Sequence, residues 1–133
     1  MNKQILTIAA LALTLTACRP GPSKVDPTKP QVSVVDGKVR VDQERIEFKS
    51  EGKDVLITWQ LPSASNFRFP QDGIVFERKA QEEIDRCQPG KDGVQYTCVN
   101  RTKTPGEYKY TIKVQDGSKP LDPLDPFVVN LPK

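Results

Sequence analysis

From Gln31 onward, several short segments have apolar residues at every second position, and this period constrains the fold more than any other feature. The clearest case is the segment 54–61, where Val55, Ile57, Trp59 and Leu61 alternate with polar residues and one leucine. A period of two places alternate side chains on opposite faces of a β-strand. We therefore expect a strand here, with Trp59 in the core rather than on a ligand-binding surface.

Two further segments repeat the pattern. In the segment 105–114, Tyr108, Tyr110, Ile112 and Val114 fall on one face of a predicted strand. Near the start, two valine-rich runs flank Asp36-Gly37. Asp-Gly favours the positive φ angles of a type I′ turn, so residues 32–41 are predicted to form a hairpin.

Turn-forming residues divide the region 31–133 into seven to nine short strands, with at most one short helix or turn between Glu77 and Arg86. This pattern is compatible with a small barrel but favours a two-sheet antiparallel β-sandwich. The predicted fold class is therefore all-β.

Two runs carry a resemblance to known sandwiches. The segment 105–114 contains a Gly-x-Tyr-x-Tyr run that resembles strands of immunoglobulin-like and cupredoxin-like domains. The segment 92–98 resembles the Asp-x-x-x-Tyr-x-Cys run of antibody domains, although Trp59 precedes both Cys87 and Cys98 instead of lying between them. The chain has no histidine, and Met1 is its one methionine, so a cupredoxin-like shape would lack the blue-copper ligands.

The first residues follow a different pattern. Lys3 precedes an apolar run over residues 5–15, which is typical of a secretory signal peptide. The run is too short for a membrane-spanning helix, which needs about 20 residues. A core helix is the alternative, but such a helix would be amphipathic and this run is apolar on every side.

The run ends in Leu15-Thr16-Ala17-Cys18, which resembles the lipobox of bacterial lipoprotein precursors. The resemblance implies that residues 1–17 are a signal peptide and that cleavage occurs before Cys18. It also implies that the Cys18 sulfur carries a lipid and that the new amino terminus of Cys18 is acylated. Arg19 stands where an aspartate would retain such a protein at the inner membrane, so the expected location is the outer membrane, facing the periplasm. A chance cysteine after an ordinary signal remains the alternative.

Four prolines lie within residues 19–30, a composition that favours extended conformers and predicts a tether over residues 18–30. The domain is then expected at residues 31–133. With Cys18 assigned to lipid, Cys87 and Cys98 form an even pair, and turn residues between them let the chain double back. A structural disulfide is predicted; a redox pair is less favoured because the spacing is not Cys-x-x-Cys.

The composition restricts the chemistry. The absence of histidine excludes Ser-His-Asp and Cys-His catalysis. Basic and acidic residues, 20 and 17 in number, are interspersed, which does not indicate nucleic-acid binding. Two carboxylate clusters remain: Glu82, Glu83 and Asp85 for a hydrolase, and the aspartates at 116, 122 and 125 for calcium. The spacing of the aspartates matches no calcium loop, and a small chain built of strands leaves little room for a deep substrate cleft. We therefore expect neither enzyme, metal nor cofactor.

The resulting expectation is a lipid-anchored envelope protein that binds a protein partner, as an accessory or structural component. The binding residues are expected in two loops, 62–70 and 119–126, at Phe67, Arg68, Phe69, Asp122 and Asp125. Exposed side chains are predicted for the first three. An immunity or inhibitor lipoprotein that blocks a toxin or hydrolase is the alternative, and a small carboxylate-dependent hydrolase is a further one.

Overall fold

Alternating apolar residues make this chain fold into short strands that bury one face each. The computed structural model describes residues 25–133, in which twelve strands and one 3-10 helical turn, Arg78–Ala80, are present. The strands are β1 (Val32–Val35), β2 (Lys38–Val41), β3 (Arg45–Lys49), β4 (Val55–Gln60), β5 (Phe67–Arg68), β6 (Ile74–Phe76), β7 (Ile84–Pro89), β8 (Gln95–Asn100), β9 (Gly106–Ile112), β10 (Gln115–Asp116), β11 (Lys119–Pro120) and β12 (Phe127–Leu131).

Seven of these strands form two sheets that face each other. One sheet has the order β4-β8-β7, and the other has the order β3-β12-β9-β6. These orders match strands B-E-D and G-F-C of an immunoglobulin-like sandwich, with β3 added beside the last strand. The predicted two-sheet sandwich is confirmed. One pair, β12 with β3, is parallel, and the five other short strands lie outside the two sheets.

The core lies between the sheets and is centred on Trp59 of β4. Trp59 is 0% exposed, which confirms its predicted place in the core. Its ring lies 5.3 Å from that of Tyr110 on β9 and 6.3 Å from that of Phe76 on β6. Tilted arrangements at these distances suit the quadrupoles of aromatic rings. The inward faces of β4 and β9 are those that the sequence predicts.

Tyr108 fixes the connection between β8 and β9. Its hydroxyl donates a hydrogen bond of 2.7 Å to the carbonyl of Thr104, four residues upstream. Gly106 lies beneath the ring, where a Cβ atom would approach the Tyr108 hydroxyl to 3.3 Å. This arrangement matches the tyrosine corner that immunoglobulin-like domains have near the start of strand F.

The hairpin of β1 and β2 has the predicted turn. Val35 pairs with Lys38, and Asp36 and Gly37 between them have φ angles of 51° and 74°. Two successive positive φ angles define a type I′ turn. Val32 and Val39 attach the hairpin to the core.

The segment 77–86 corrects one expectation. Its 3-10 turn fits the predicted short helix or turn, but β7 begins at Ile84, where no strand was predicted. The register between β7 and β8 shifts between Asp85 and Gln88, and Arg86 has a positive φ of 54°. This β-bulge brings Cys87 beside Cys98, and the two form the predicted disulfide.

The start of the domain also differs from the expectation. The carbonyls of Thr28 and Pro30 accept hydrogen bonds from the backbone of Thr58 and Gln60, and Pro30 is buried. Residues 28–30, which the sequence assigns to the predicted tether, therefore lie along the edge of β4. The predicted signal peptide, Cys18 and the first part of the tether lie outside the described residues.

Candidate partner-binding site at the loop end

Three connections meet at one end of the sandwich, which we call the loop end. Strands β4, β7 and β9 run towards it, and β6, β8 and β12 run away from it, as their registers show. The connections are 61–73, 90–94 and 113–126. Both loops that the sequence selects for binding lie within them.

Backbone hydrogen bonds join these connections. β10 pairs with β11 on one side and with β5 on the other, so Gln115 lies opposite Arg68 and Asp116 opposite Phe67. The amide of Phe69 donates a 2.7 Å hydrogen bond to the carbonyl of Gly93. The loop end is thus a small sheet rather than three separate loops, and a surface of this kind loses little conformational entropy when it binds.

A cavity of about 320 Å³ opens between the first and third connections, and we call it the loop-end pocket. Its apolar lining comes from prolines and two aliphatic side chains, while an ion pair lies at its margin. The lining residues are Pro70, Asp72, Lys113, Val114, Gln115, Pro120, Leu121 and Pro123.

Asp72 and Lys113 form the ion pair of the pocket. The Nζ atom of Lys113 donates a hydrogen bond of 2.7 Å to the Asp72 carboxylate. This hydrogen bond lowers the pKa of Asp72 below its ordinary value and outweighs the opposing effect of burial. Apolar walls with one charged pair are typical of pockets that receive a side chain or small group in a fixed orientation.

The structure brings the predicted site residues to the loop end but does not make them one surface. Phe69 is only 5% exposed and packs edge-on against Tyr96, so the expectation of an exposed Phe69 is wrong. Phe69 follows Arg68 in an extended segment, so its side chain points to the opposite face, towards the core. Phe67 and Arg68 are half-buried, and the Arg68 guanidinium donates to the carbonyls of Ser65 and Phe67.

The two predicted aspartates lie on the third connection. Asp122 is exposed and forms a parallel bridge with Lys38, which attaches the β1-β2 hairpin to the loop end. Asp125 accepts a 2.7 Å hydrogen bond from the Thr111 hydroxyl. None of the five predicted residues lines the loop-end pocket.

The pocket residues that no sequence pattern predicts are chiefly Asp72 and Lys113. They are 41 positions apart, and neither belongs to a motif. Only the pairing of β6 with β9 brings them together. Pro120, Leu121 and Pro123 lie in a predicted loop, and their proline-rich composition is the one local signal of an ordered wall.

The three carboxylates proposed for hydrolysis have different environments. Glu83 is 6% exposed, and its Oε1 accepts hydrogen bonds from the amides of Lys103 and Thr104 and from Asn130. Glu82 is exposed, and Asp85 pairs with Arg101 at 2.6 Å. Glu83 thus organises the connection between β8 and β9.

Asp85 also lines a second cavity, of about 420 Å³, which lies between β6 and β7 and includes Asp72. A carboxyl group that acts as a general acid needs a raised pKa. The pKa of Asp72 is lowered instead.

Within residues 25–133, no group of three or more His, Cys, Asp or Glu side chains is arranged to hold a metal ion. The same residues include no helix of sufficient length and apolar character to cross a bilayer.

Comparison of the chain with protein-family models gave no match. Comparison with curated protein sequences also gave none.

Proposed function

We propose that this protein is a lipid-anchored component of the cell envelope whose immunoglobulin-like domain binds a protein partner through the loop end. The anchor is the predicted lipid on Cys18, at the outer membrane facing the periplasm. The binding is non-catalytic, and the domain acts as an accessory or structural module.

One observation carries the proposal: the loop-end pocket is built on connections that are hydrogen-bonded into a sheet. Interfaces derive much of their free energy from an anchor side chain that fills a well-packed pocket. A rigid pocket with proline walls is suited to an apolar anchor, and Asp72 and Lys113 offer one acceptor and one donor beside it. The pocket takes its walls from both loops that the sequence selects.

The test is capture of the partner by the intact anchored protein from detergent-solubilised envelopes. Pro123 is exposed at the pocket, so Pro123→Glu should place a charge at the apolar opening and reduce capture at least about tenfold. Pro132→Glu is the matched control, because Pro132 is exposed at the opposite end of the sandwich. Equal capture by both variants would refute the loop-end pocket as the binding site.

A different feature favours the inhibitor alternative. Val35 is 49% exposed beside Asp36 at the tip of the β1-β2 hairpin. An exposed turn with one apolar and one acidic residue is suited to enter the cleft of a toxin or hydrolase. Under this alternative, Val35→Ser abolishes inhibition of a captured enzyme, whereas Pro123→Glu leaves it unchanged.

A further inference from the structure

The sandwich has four edge strands, and three of them are closed to further pairing. Residues 28–30 cover the edge of β4. The edge of β6 is three residues long, and the side-chain amide of Gln81 donates to the carbonyl of Phe76. The edge of β7 is interrupted by its bulge and ends at Pro89, which lacks an amide donor. Natural sheets protect their edges in these ways.

β3 is different. It runs for five residues, Arg45–Lys49, without proline, glycine or bulge. Its hydrogen bonds to β12 use every second residue, because Phe127 donates to the Glu44 carbonyl at 2.8 Å and Ser50 donates to the Leu131 carbonyl at 3.1 Å.

The backbone groups of Arg45, Glu47 and Lys49 therefore point away from β12. Within residues 25–133 they have no hydrogen-bond partner. The edge thus presents three amides and three carbonyls in the geometry that a further strand requires.

The exposed side chains along this edge carry an ordered charge pattern. Arg45, Glu47 and Lys49 are positive, negative and positive at alternate positions, and all three are exposed. Arg45 contacts Glu107 at 2.9 Å, but 49% of its side chain remains exposed, so a partner carboxylate can share it. Opposite charges directly across a strand pair are stabilising and like charges are destabilising.

We infer that the edge of β3 binds an extended strand of a protein partner that carries acidic, basic and acidic side chains at alternate positions. The argument for a different protein, rather than a second copy, is charge. Two β3 strands paired antiparallel about Glu47 would place Glu47 opposite Glu47 and Arg45 opposite Lys49. Arg45, at the start of this edge, adjoins residues 124–126 of the third connection, but Arg45, Glu47 and Lys49 do not line the loop-end pocket. The inference therefore goes beyond the proposed function and does not depend on it.

The probe is the peptide acetyl-Thr-Glu-Val-Lys-Val-Glu-Thr-amide, added at up to millimolar concentration to the intact protein in detergent micelles. Amide hydrogen exchange by NMR is the readout. In the protein alone, the amides of Arg45, Glu47 and Lys49 should exchange fast, while Ile46 and Phe48 are protected. The peptide should slow the exchange of the first three amides at least about tenfold.

Two controls separate backbone pairing from charge. The charge-reversed peptide, acetyl-Thr-Lys-Val-Glu-Val-Lys-Thr-amide, has Glu and Lys exchanged. It should bind at least about tenfold more weakly, since it places like charges opposite those of β3. Methylation of the central Lys nitrogen of the first peptide should abolish binding, because in an antiparallel pair with that Lys opposite Glu47 its amide faces β3. Methylation of a Val nitrogen, which faces away, should leave it unchanged.

Variants of Glu47 complete the test. Glu47→Pro removes the amide that faces outward, so it should block the peptide while leaving the pairing with β12 intact. Glu47→Thr keeps that amide and should retain binding. If Glu47→Pro fails to fold, the methylated peptides decide the question. Pro123→Glu should bind the peptide like the unaltered protein, which distinguishes this edge from the loop end.

Three results would overturn the inference. The first is protection of the Arg45, Glu47 and Lys49 amides in the protein alone, which would mean that the edge is already covered. The second is absence of binding or equal binding of both peptides. The third is concentration-dependent self-association lost in Glu47→Pro, which would make a second copy the occupant.

Discussion

The indole nitrogen of Trp59 donates a hydrogen bond of 3.1 Å to the hydroxyl of Tyr110, and this contact joins the two sheets at the centre of the core. Trp59 lies on β4 and Tyr110 on β9, which correspond to strands B and F. Antibody domains join these two strands with a disulfide. In this protein the Cys87–Cys98 disulfide lies within one sheet, so an aromatic hydrogen bond links the sheets instead.

Removal of this hydrogen bond should destabilise the fold. Tyr110→Phe leaves the buried indole nitrogen without its partner, so we expect the free energy of unfolding to fall by about 1–3 kcal/mol in urea denaturation. A double-mutant cycle with Trp59→Phe isolates the pair. Additive effects of the two substitutions would show that the contact contributes nothing.

The same tyrosine should make stability sensitive to alkaline pH. Burial raises the pKa of Tyr110 well above its ordinary value, and it raises those of Tyr96 and Tyr108 as well. An unfolded tyrosine ionises near pH 10. The free energy of unfolding should therefore be unaffected by these groups below about pH 10 and fall above it, because the unfolded chain loses its protons first.

The measurement is urea denaturation at pH 8 and pH 11, together with phenolate absorbance of the folded protein. Tyr110→Phe should lose less stability between the two pH values than the unaltered protein. If all three tyrosines of the folded protein ionise with the ordinary tyrosine pKa, as measured by phenolate absorbance, the account is contradicted.

Replacement of Arg86 by glycine should stabilise the fold. Its positive φ is forced by the bulge in β7, and such a conformation costs about 1–2 kcal/mol for a residue with a Cβ atom. Arg86→Gly should raise the free energy of unfolding by about 1 kcal/mol. The matched control is Gln88→Gly on the same strand, which should lower it by about 0.5–1 kcal/mol. Destabilisation by both would show that Arg86 makes contacts that outweigh its backbone conformation.

The anchor is tested independently of the domain. The unaltered protein should incorporate radiolabelled palmitate and remain with the membrane fraction. Cys18→Ala should incorporate none. Retained label in that variant, or no label in the unaltered protein, would refute the predicted lipidation.

Most of the sandwich follows from sequence wherever the period of two is uninterrupted. β4 and β9 bury the faces that their alternation predicts, and the Asp-Gly turn of the first hairpin forms as its φ preferences require. The sequence does not predict β7, because its bulge inserts an extra residue at Arg86 and breaks the alternation. A bulge that places Cys87 beside Cys98 has no local sequence signal.

The site was less predictable than the fold. The two loops were identified by their composition, yet Phe69 is a core residue because strand alternation continues through β5 into the loop. Asp72 and Lys113 meet only through the pairing of β6 with β9. A contact between residues 41 positions apart depends on the register of two strands, and no local pattern specifies it.

The most direct test of partner binding at the loop end is site-specific photo-crosslinking of the intact anchored protein in the cell envelope. A photoreactive amino acid is placed at Ser118, exposed at the loop end, and in a separate protein at Lys103, exposed at the opposite end. The account predicts a discrete protein adduct at Ser118 that Pro123→Glu reduces, and none at Lys103. An adduct at Lys103 alone, or none at either position, would contradict it.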